Sequence, residues 1–221
     1  MTARPVLYVL AGVNGAGKSS IGGHLLQRAG LGWFNPDTFA RELVASTGCD
    51  PIEANAAAWH EGMRRLDIAI GEGGNYAFET TLGGRTVPQR IREASHSHDV
   101  MIWFCGLASP EQHLARVQAR VASGGHDIPE ARIRARWDAS RANLIALMPH
   151  LAHLQVYDNS IDVAPGEAIG DPRLVLEMVG GRCVFPTGPA SLALTPDWAK
   201  PLVEAALTPG VTAGSGRSRR G

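Results

Sequence analysis

Eight consecutive residues, Gly12-Val13-Asn14-Gly15-Ala16-Gly17-Lys18-Ser19, satisfy G-x-x-x-x-G-K-[ST] in full. Such a stretch can hold a polyphosphate. Its glycines let successive backbone N–H groups turn inward on one anion, and a helix starting at the lysine adds its partial positive end. Lys18 would reach the outer phosphates as a point charge, and the Ser19 hydroxyl would ligate a metal ion, Mg²⁺. Lys18 is conspicuous because Lys200 is the only other lysine in the chain. The nucleotide-contacting positions expected from the motif are Gly12, Asn14, Gly15, Ala16, Gly17, Lys18, Ser19 and the adjoining Ser20. ATP and Mg²⁺ are the expected cofactors.

A phosphate cradle does not fix the reaction, because the same loop serves kinases, ATPases and GTPases. Other side chains must choose among them. Asp37 follows Asn35-Pro36 at the end of a short apolar run, where a carboxylate near a γ-phosphate can take the proton of an acceptor hydroxyl. The competing reading makes Asp37 the N-cap of a helix beginning at Thr38. Glu79 and Thr80 end another strand on the same edge and are expected to hydrogen-bond the acceptor. Arg116 and Arg120 precede the segment Ser123-Gly124-Gly125-His126-Asp127-Ile128, which reads as a flexible insert without core pattern. Arg132, Arg134, Arg136 and Arg141 follow it. Arginines on a closing lid stabilise a phosphoryl group in transfer. Arg120 is the expected catalytic one, with His126 and Arg136 facing the substrate. No Asn-Lys-x-Asp occurs for a GTPase. The Ser-Gly-Gly-His segment resembles an ABC signature only superficially, since no strand ends in Asp-Glu.

These residues need a scaffold. Short apolar runs at Val6–Ala11, Gly32–Asn35, Tyr76–Thr81, Val100–Leu107 and Leu154–Tyr157 read as strands. Helical spacing covers Gly17–Ala29, Thr38–Ala45, Ile52–Glu72, Val87–Ser95, a helix opened by Ser109-Pro110 and running to Ala122, and Pro129–Met148. Strands alternating with helices predict an α/β fold of the P-loop NTPase type. Its expected form is a five-stranded parallel sheet sandwiched by helices, with an arginine-rich lid. The kinase domain is expected over residues 1–160. A C-terminal extension over 161–207 follows, with a hairpin of Arg173–Val179 and Arg182–Phe185 and a short helix of Pro196–Leu207 capped by Thr195. Residues 208–221, rich in Gly, Ser, Thr and Arg, read as a disordered tail.

The motif order resembles the zeta-toxin family, in particular its short bacterial branch also described as predicted ABC-type ATPases. The resemblance rests on the phosphate loop, Asn-Pro-Asp-Thr-Phe at 35–39, Phe-Glu-Thr-Thr-Leu at 78–82, Gly-Gly-His-Asp-Ile-Pro at 124–129, and Asn143-Leu144 before Asp158-Asn159-Ser160. It spans residues 6–160 and implies a P-loop kinase in which Asp37 is the catalytic base, Glu79 binds the acceptor sugar and Arg120 contacts the phosphates. Characterised members phosphorylate UDP-N-acetylglucosamine and are held by a small antitoxin, so a small-molecule acceptor and such a partner are implied here. The sequence departs from the family where Phe-Glu-Thr-Thr replaces the more usual Glu-Gly-Thr and where His126 stands in place of a second lid arginine. Arg132 and Arg136 are the two candidates to replace it. The alternative to a kinase is a P-loop ATPase or nucleotide-binding regulatory module without a small-molecule acceptor.

Composition narrows the partners. Among 221 residues, 21 basic side chains balance 21 acidic ones, which excludes a broad electrostatic grip on nucleic acid or on an anionic membrane. Cys49, Cys105 and Cys183 form no Cys-x-x-Cys pair, which argues against a zinc site or a disulfide framework and for a reducing, cytoplasmic setting.

Overall fold

The apolar run Val6–Ala11 forms strand β1, and the glycine-rich loop at its carboxyl end decides the architecture. The computed structural model describes residues 3–19, 22, 26, 32–123, 125, 127–161 and 172–208. After β1 the chain turns through this loop and becomes helical at Lys18 and Ser19, and again at Gly22 and Leu26; the rest of the helix expected over 17–29 lies outside the described residues. Helices α1 (Pro36–Thr47) and α2 (Pro51–Glu72) come next, then β2 (Tyr76–Thr80), α3 (Thr86–Ala94) and β3 (Asp99–Gly106). Two arginine-bearing helices, α4 (Pro110–Ala122) and α5 (Glu130–Leu147), lead to β4 (His153–Asp158). The chain continues through the hairpin β5 (Arg173–Val179) and β6 (Arg182–Phe185), α6 (Pro189–Ala193) and α7 (Lys200–Leu207).

The sheet is six-stranded and mixed, in the order β2-β1-β3-β4-β5-β6. Its first four strands are parallel, whereas β5 pairs antiparallel with β4 and β6 antiparallel with β5. This corrects the expected five parallel strands in two places. The run Gly32–Asn35 makes only an isolated parallel bridge, Phe34 to Phe78, because Pro36 starts a helix at once and leaves no length for a ladder. The C-terminal hairpin instead extends the sheet itself, pairing β5 with β4. The helix expected over Pro196–Leu207 is a 3-10 turn at Asp197–Ala199 followed by α7, and α6 was not anticipated. The tail expected to be disordered lies, beyond Thr208, outside the described residues.

This topology opens a crevice at the carboxyl end of β1. The chain leaves β1 for β2 on one side and later returns with β3 on the other, so the tips of both neighbours flank the glycine loop. Glu79 and Thr80 pair in register with Leu10 and Ala11, and Phe104 pairs with Ala11. Below the crevice, the core gathers Leu7, Val9, Phe78, Ile102, Phe104 and Val156 from the strands and Leu66, Ile91, Leu144 and Leu202 from the helices. Each such side chain contributes about 1.5–3 kcal/mol by leaving water. Phe34 joins this core because Gly62 leaves its ring room: a Cβ there would stand 2.9 Å from Phe34 Cε1. Among the described residues, no helix is long and apolar enough to cross a membrane.

Candidate functional site

The glycine loop is shaped by backbone demands only glycine meets. Gly12 has φ +139°, and a Cβ there would lie 2.2 Å from the Cys105 carbonyl of β3. Gly15 and Gly17 also sit at positive φ, +82° and +84°. From outside the loop, His113 of α4 donates through Nδ1 to the Asn14 carbonyl at 2.8 Å, and Asn159 donates to the Ala16 carbonyl at 2.9 Å. Burial lowers the His113 pKa to about 4, so the ring is neutral and one tautomer can serve as donor. Cys105 beneath the loop is pushed up to about 12 by burial and stays a thiol.

Lys18 and Ser19 face an acid. Lys18 Nζ donates to the Val13 carbonyl at 3.3 Å and lies 3.5 Å from Glu79 Oε1, with both side chains almost wholly buried. Ser19 Oγ donates to Glu79 Oε2 at 2.8 Å, and the Asn35 amide reaches the same oxygen at 3.0 Å. Glu79, expected to hydrogen-bond the acceptor, borders the cleft, and its two oxygens are engaged by Lys18, Ser19 and Asn35 because β2 runs beside β1 and delivers its tip to Ser19. A hydroxyl and a carboxylate joined this way are hard oxygen donors suited to Mg²⁺, which keeps waters and phosphate oxygens as its remaining ligands. Ser19 would bind such an ion directly and Glu79 would orient it. Among the described residues, no group of three or more His, Cys, Asp or Glu side chains is placed to hold a metal ion.

Asp37 is not a cap. The side chain of Asn35 accepts from the N–H groups of Asp37 and Thr38, so α1 begins at Pro36 and the expected start at Thr38 is corrected. An asparagine before a proline carries that signal. The Asp37 carboxylate is therefore left to face the cleft, where Arg120 Nη1 lies 3.8 Å from its Oδ2.

Two adjoining lobes meet at Asn14, Lys18, Asn35, Asp37, Asn55 and Glu79. The first, about 750 Å³, is bounded by the glycine loop, α1, Arg116 and Arg120. The second, about 760 Å³, has an apolar wall of Phe34, Trp59, Met63, Leu66 and Phe78 and a polar one with Thr80, Thr81, Arg132 and Arg136. Arg136 donates to Asn14 Oδ1 at 2.7 Å, and its stem fills the space a side chain at Gly83 would need. Burial and the neighbouring Arg132 lower the Arg136 pKa, while Asp37 opposes them.

The arginines thus divide. Arg120, Arg132 and Arg136 line the lobes, and Arg116 also donates to the carbonyls of Asn159 and Ile161. Arg134 pairs with Glu111 and Glu130, and Arg141 with Asp138 while stacking on Trp137, so these two brace helices. Ile128 corrects the expectation of an insert without core pattern: it is buried with Val13, Val117 and Ile133, pinning the segment onto the glycine loop's back. Ser20 and His126, both expected at the site, lie outside the described residues. Thr80 lines the second lobe, its Oγ1 accepting from Leu82 N–H at 3.1 Å. Sequence reasoning missed His113, which carried no motif signal, and the apolar stripe of α2, which reads as core.

A family model described as AAA domain (AAA_33) matches residues 7–145. An uncharacterized protein of Haemophilus influenzae is 30% identical over 138 residues, which is 62% of this chain and 94% of that protein. Among solved structures, the AvrRxo1-ORF1:-ORF2 complex with ATP matches with a TM-score of 0.64 at 16% identity. That match covers 92% of this chain and 64% of the AvrRxo1 chain, so less than two thirds of the latter is represented. The PezAT toxin-antitoxin system of Streptococcus pneumoniae matches with a TM-score of 0.54 at 17% identity, over 71% of this chain and 68% of that one. At these identities the structural likenesses are likenesses of fold, that of an α/β P-loop NTPase-like domain.

Proposed function

Because the chain belongs to the AAA domain family of AAA_33, we propose that it is an ATP- and Mg²⁺-dependent kinase of zeta-toxin type acting on a small hydroxylated acceptor. The observation that carries this reading is Asp37: an uncapping, cleft-facing carboxylate at the junction between a phosphate lobe and a second lobe large enough for another molecule. A hydrolase needs only water in that second place. An apolar wall facing arginines suits an acceptor with a flat or apolar part and an anionic part, and a nucleotide sugar such as UDP-N-acetylglucosamine has both. The neighbours whose names include ATP and a toxin-antitoxin system favour the same reading and make a protein partner a reasonable companion proposal.

In this mechanism the glycine loop and Lys18 hold the β- and γ-phosphates, and Lys18 exchanges part of its contact with Glu79 for phosphate oxygen. Mg²⁺, when bound, neutralises charge on those oxygens. Ser19 would ligate the ion, and Glu79 orients Ser19 by accepting its hydroxyl hydrogen. Asp37 accepts the acceptor's hydroxyl proton as that oxygen forms its bond to the γ-phosphorus and the bond to the departing ADP breaks. Arg120 and Arg136 stabilise charge on the transferring group.

ADP release is measured with and without UDP-N-acetylglucosamine for the wild type and Asp37→Ala. Acceptor-stimulated release that the variant loses supports the kinase. Acceptor-independent turnover untouched by the substitution supports the alternative, an ATPase or regulatory module.

A further inference from the structure

The family match ends at residue 145, yet a contact with the phosphate loop comes from beyond it. Asn159, just after β4, donates from Nδ2 to the Ala16 carbonyl at 2.9 Å, and its own carbonyl accepts from Arg116 Nη2 at 2.8 Å. One residue therefore touches the loop that would hold the phosphates and an arginine that lines the same lobe. What holds Asn159 is its neighbour. Asp158 is 7% exposed, too buried for a carboxylate to go unpaired without cost. Its Oδ2 accepts from Arg173 at 2.9 Å, its Oδ1 from Trp198 Nε1 at 3.1 Å, and Ser160 closes the turn on Oδ1. Trp198 acts by a second route. Its ring lies where a Cβ on Gly106 would be, 2.2 Å away, and the carbonyl of Gly106 accepts the Asn159 N–H at 3.0 Å. Arg141 of α5 holds the Trp198 carbonyl at 3.3 Å, so the tryptophan is fixed from both sides.

We propose that the segment from Arg173 to Trp198 is a working part of the nucleotide site, in which Trp198 and Arg173 act through Asp158 as positioning residues for Asn159 and Arg116. This rests on the reading of residues 12–19 as a nucleotide loop. The hairpin adds strands to the sheet, but its chemical role is to complete a buried carboxylate's partners so that the loop after β4 has one conformation. A pre-set loop binds ligand without the cost of ordering it.

The test is titration of the full-length protein with Mg·ADP, alongside thermal unfolding, for the wild type, Trp198→Phe, Arg173→Gln, Asn159→Ala and Lys18→Ala. Trp198→Phe removes the donor together with part of the ring that packs on Gly106; the Arg173 side chain is 47% exposed, so Arg173→Gln removes a partner of Asp158 without disturbing packing and leaves a folded chain even where the tryptophan variant does not. The expected result is a Kd raised about tenfold by either substitution, the loss of one charge-assisted contact acting through a shared loop. Combining either with Asn159→Ala gives less than the product of the single effects, because they act on one element. A lowered Tm with an unchanged Kd, or full additivity with Asn159→Ala, overturns the proposal while leaving the nucleotide reading intact. Wild type that fails to bind, or binds no better than Lys18→Ala, overturns both.

Discussion

Arg120 Nη1 stands 3.8 Å from Asp37 Oδ2, joining the last turn of α4 to the first turn of α1 across the phosphate lobe. The two side chains are 40% and 56% exposed, so water screens the pair and it holds little free energy. Such a contact can be exchanged. On the proposed kinase reading, an incoming γ-phosphate would offer Arg120 a better partner and leave Asp37 facing the acceptor. Asp37→Asn is therefore expected to lower acceptor-dependent turnover about 10²–10⁴-fold, the usual contribution of a general base. Nucleotide affinity stays unchanged. Steady-state assays paired with Mg·ADP titration check this.

Glu79 holds Ser19 while facing Lys18. Glu79→Gln keeps the shape and one acceptor oxygen but removes the charge. The Mg²⁺ concentration giving half-maximal activity is expected to rise at least about tenfold, as for loss of an outer-shell partner. Titrating Mg²⁺ at saturating ATP measures it, and an unchanged midpoint removes Glu79 from the metal's surroundings.

The loop after β2 is held by Asn143, whose amide donates to the carbonyls of Leu82 at 2.6 Å and Gly84 at 2.9 Å. Leu82 has φ +52°, which costs a non-glycine residue about 1–2 kcal/mol. Replacing it with glycine relieves that cost, but Leu82 is 1% exposed, and emptying such a site costs about 2–5 kcal/mol. Burial wins, so Leu82→Gly destabilises. Asn143→Ala removes both hydrogen bonds and is expected to cost about 1–3 kcal/mol. Chemical denaturation of both variants reads these values.

His113 makes acid stability sensitive to one ring. Its folded pKa of about 4 lies below the ordinary histidine value, so the unfolded chain takes up a proton that the native state refuses. Its contribution is therefore fully present above about pH 6.5 and is lost as pH falls from there to about 4, by up to about 3 kcal/mol. His113→Gln can still donate to the Asn14 carbonyl and does not titrate. Between pH 6.5 and 4 its Tm is expected to fall less steeply than that of the wild type; parallel slopes refute the assignment.

Local signals made much of this legible. The glycine-lysine-serine spacing, the Ser109-Pro110 start of α4 and the alternation of strands with helices each rest on a few adjacent residues. The α/β class and the crevice derive from them. What the sequence hid depends on contacts between distant residues. Phe34 is the exception: the Asn35-Pro36 helix start that limits it to a single bridge is local and stands in the sequence. Nothing local says that β5 pairs antiparallel with β4, or that Glu79 turns toward Ser19 when β2 settles beside β1. Ile128 read as part of a flexible insert because glycines surround it, and only packing against Val13 and Val117 shows otherwise. His113 was invisible because a buried donor to a loop carbonyl has no spacing rule.

The most direct measurement tracks the γ-phosphate itself. Full-length protein is incubated with γ-labelled ATP, Mg²⁺ and a small-molecule cell extract, and the products are resolved by mass, with Lys18→Ala and Asp37→Ala in parallel. A new phosphorylated small molecule is expected with wild type and with neither variant. Label found only as inorganic phosphate, released equally by wild type and Asp37→Ala, contradicts the proposed kinase function.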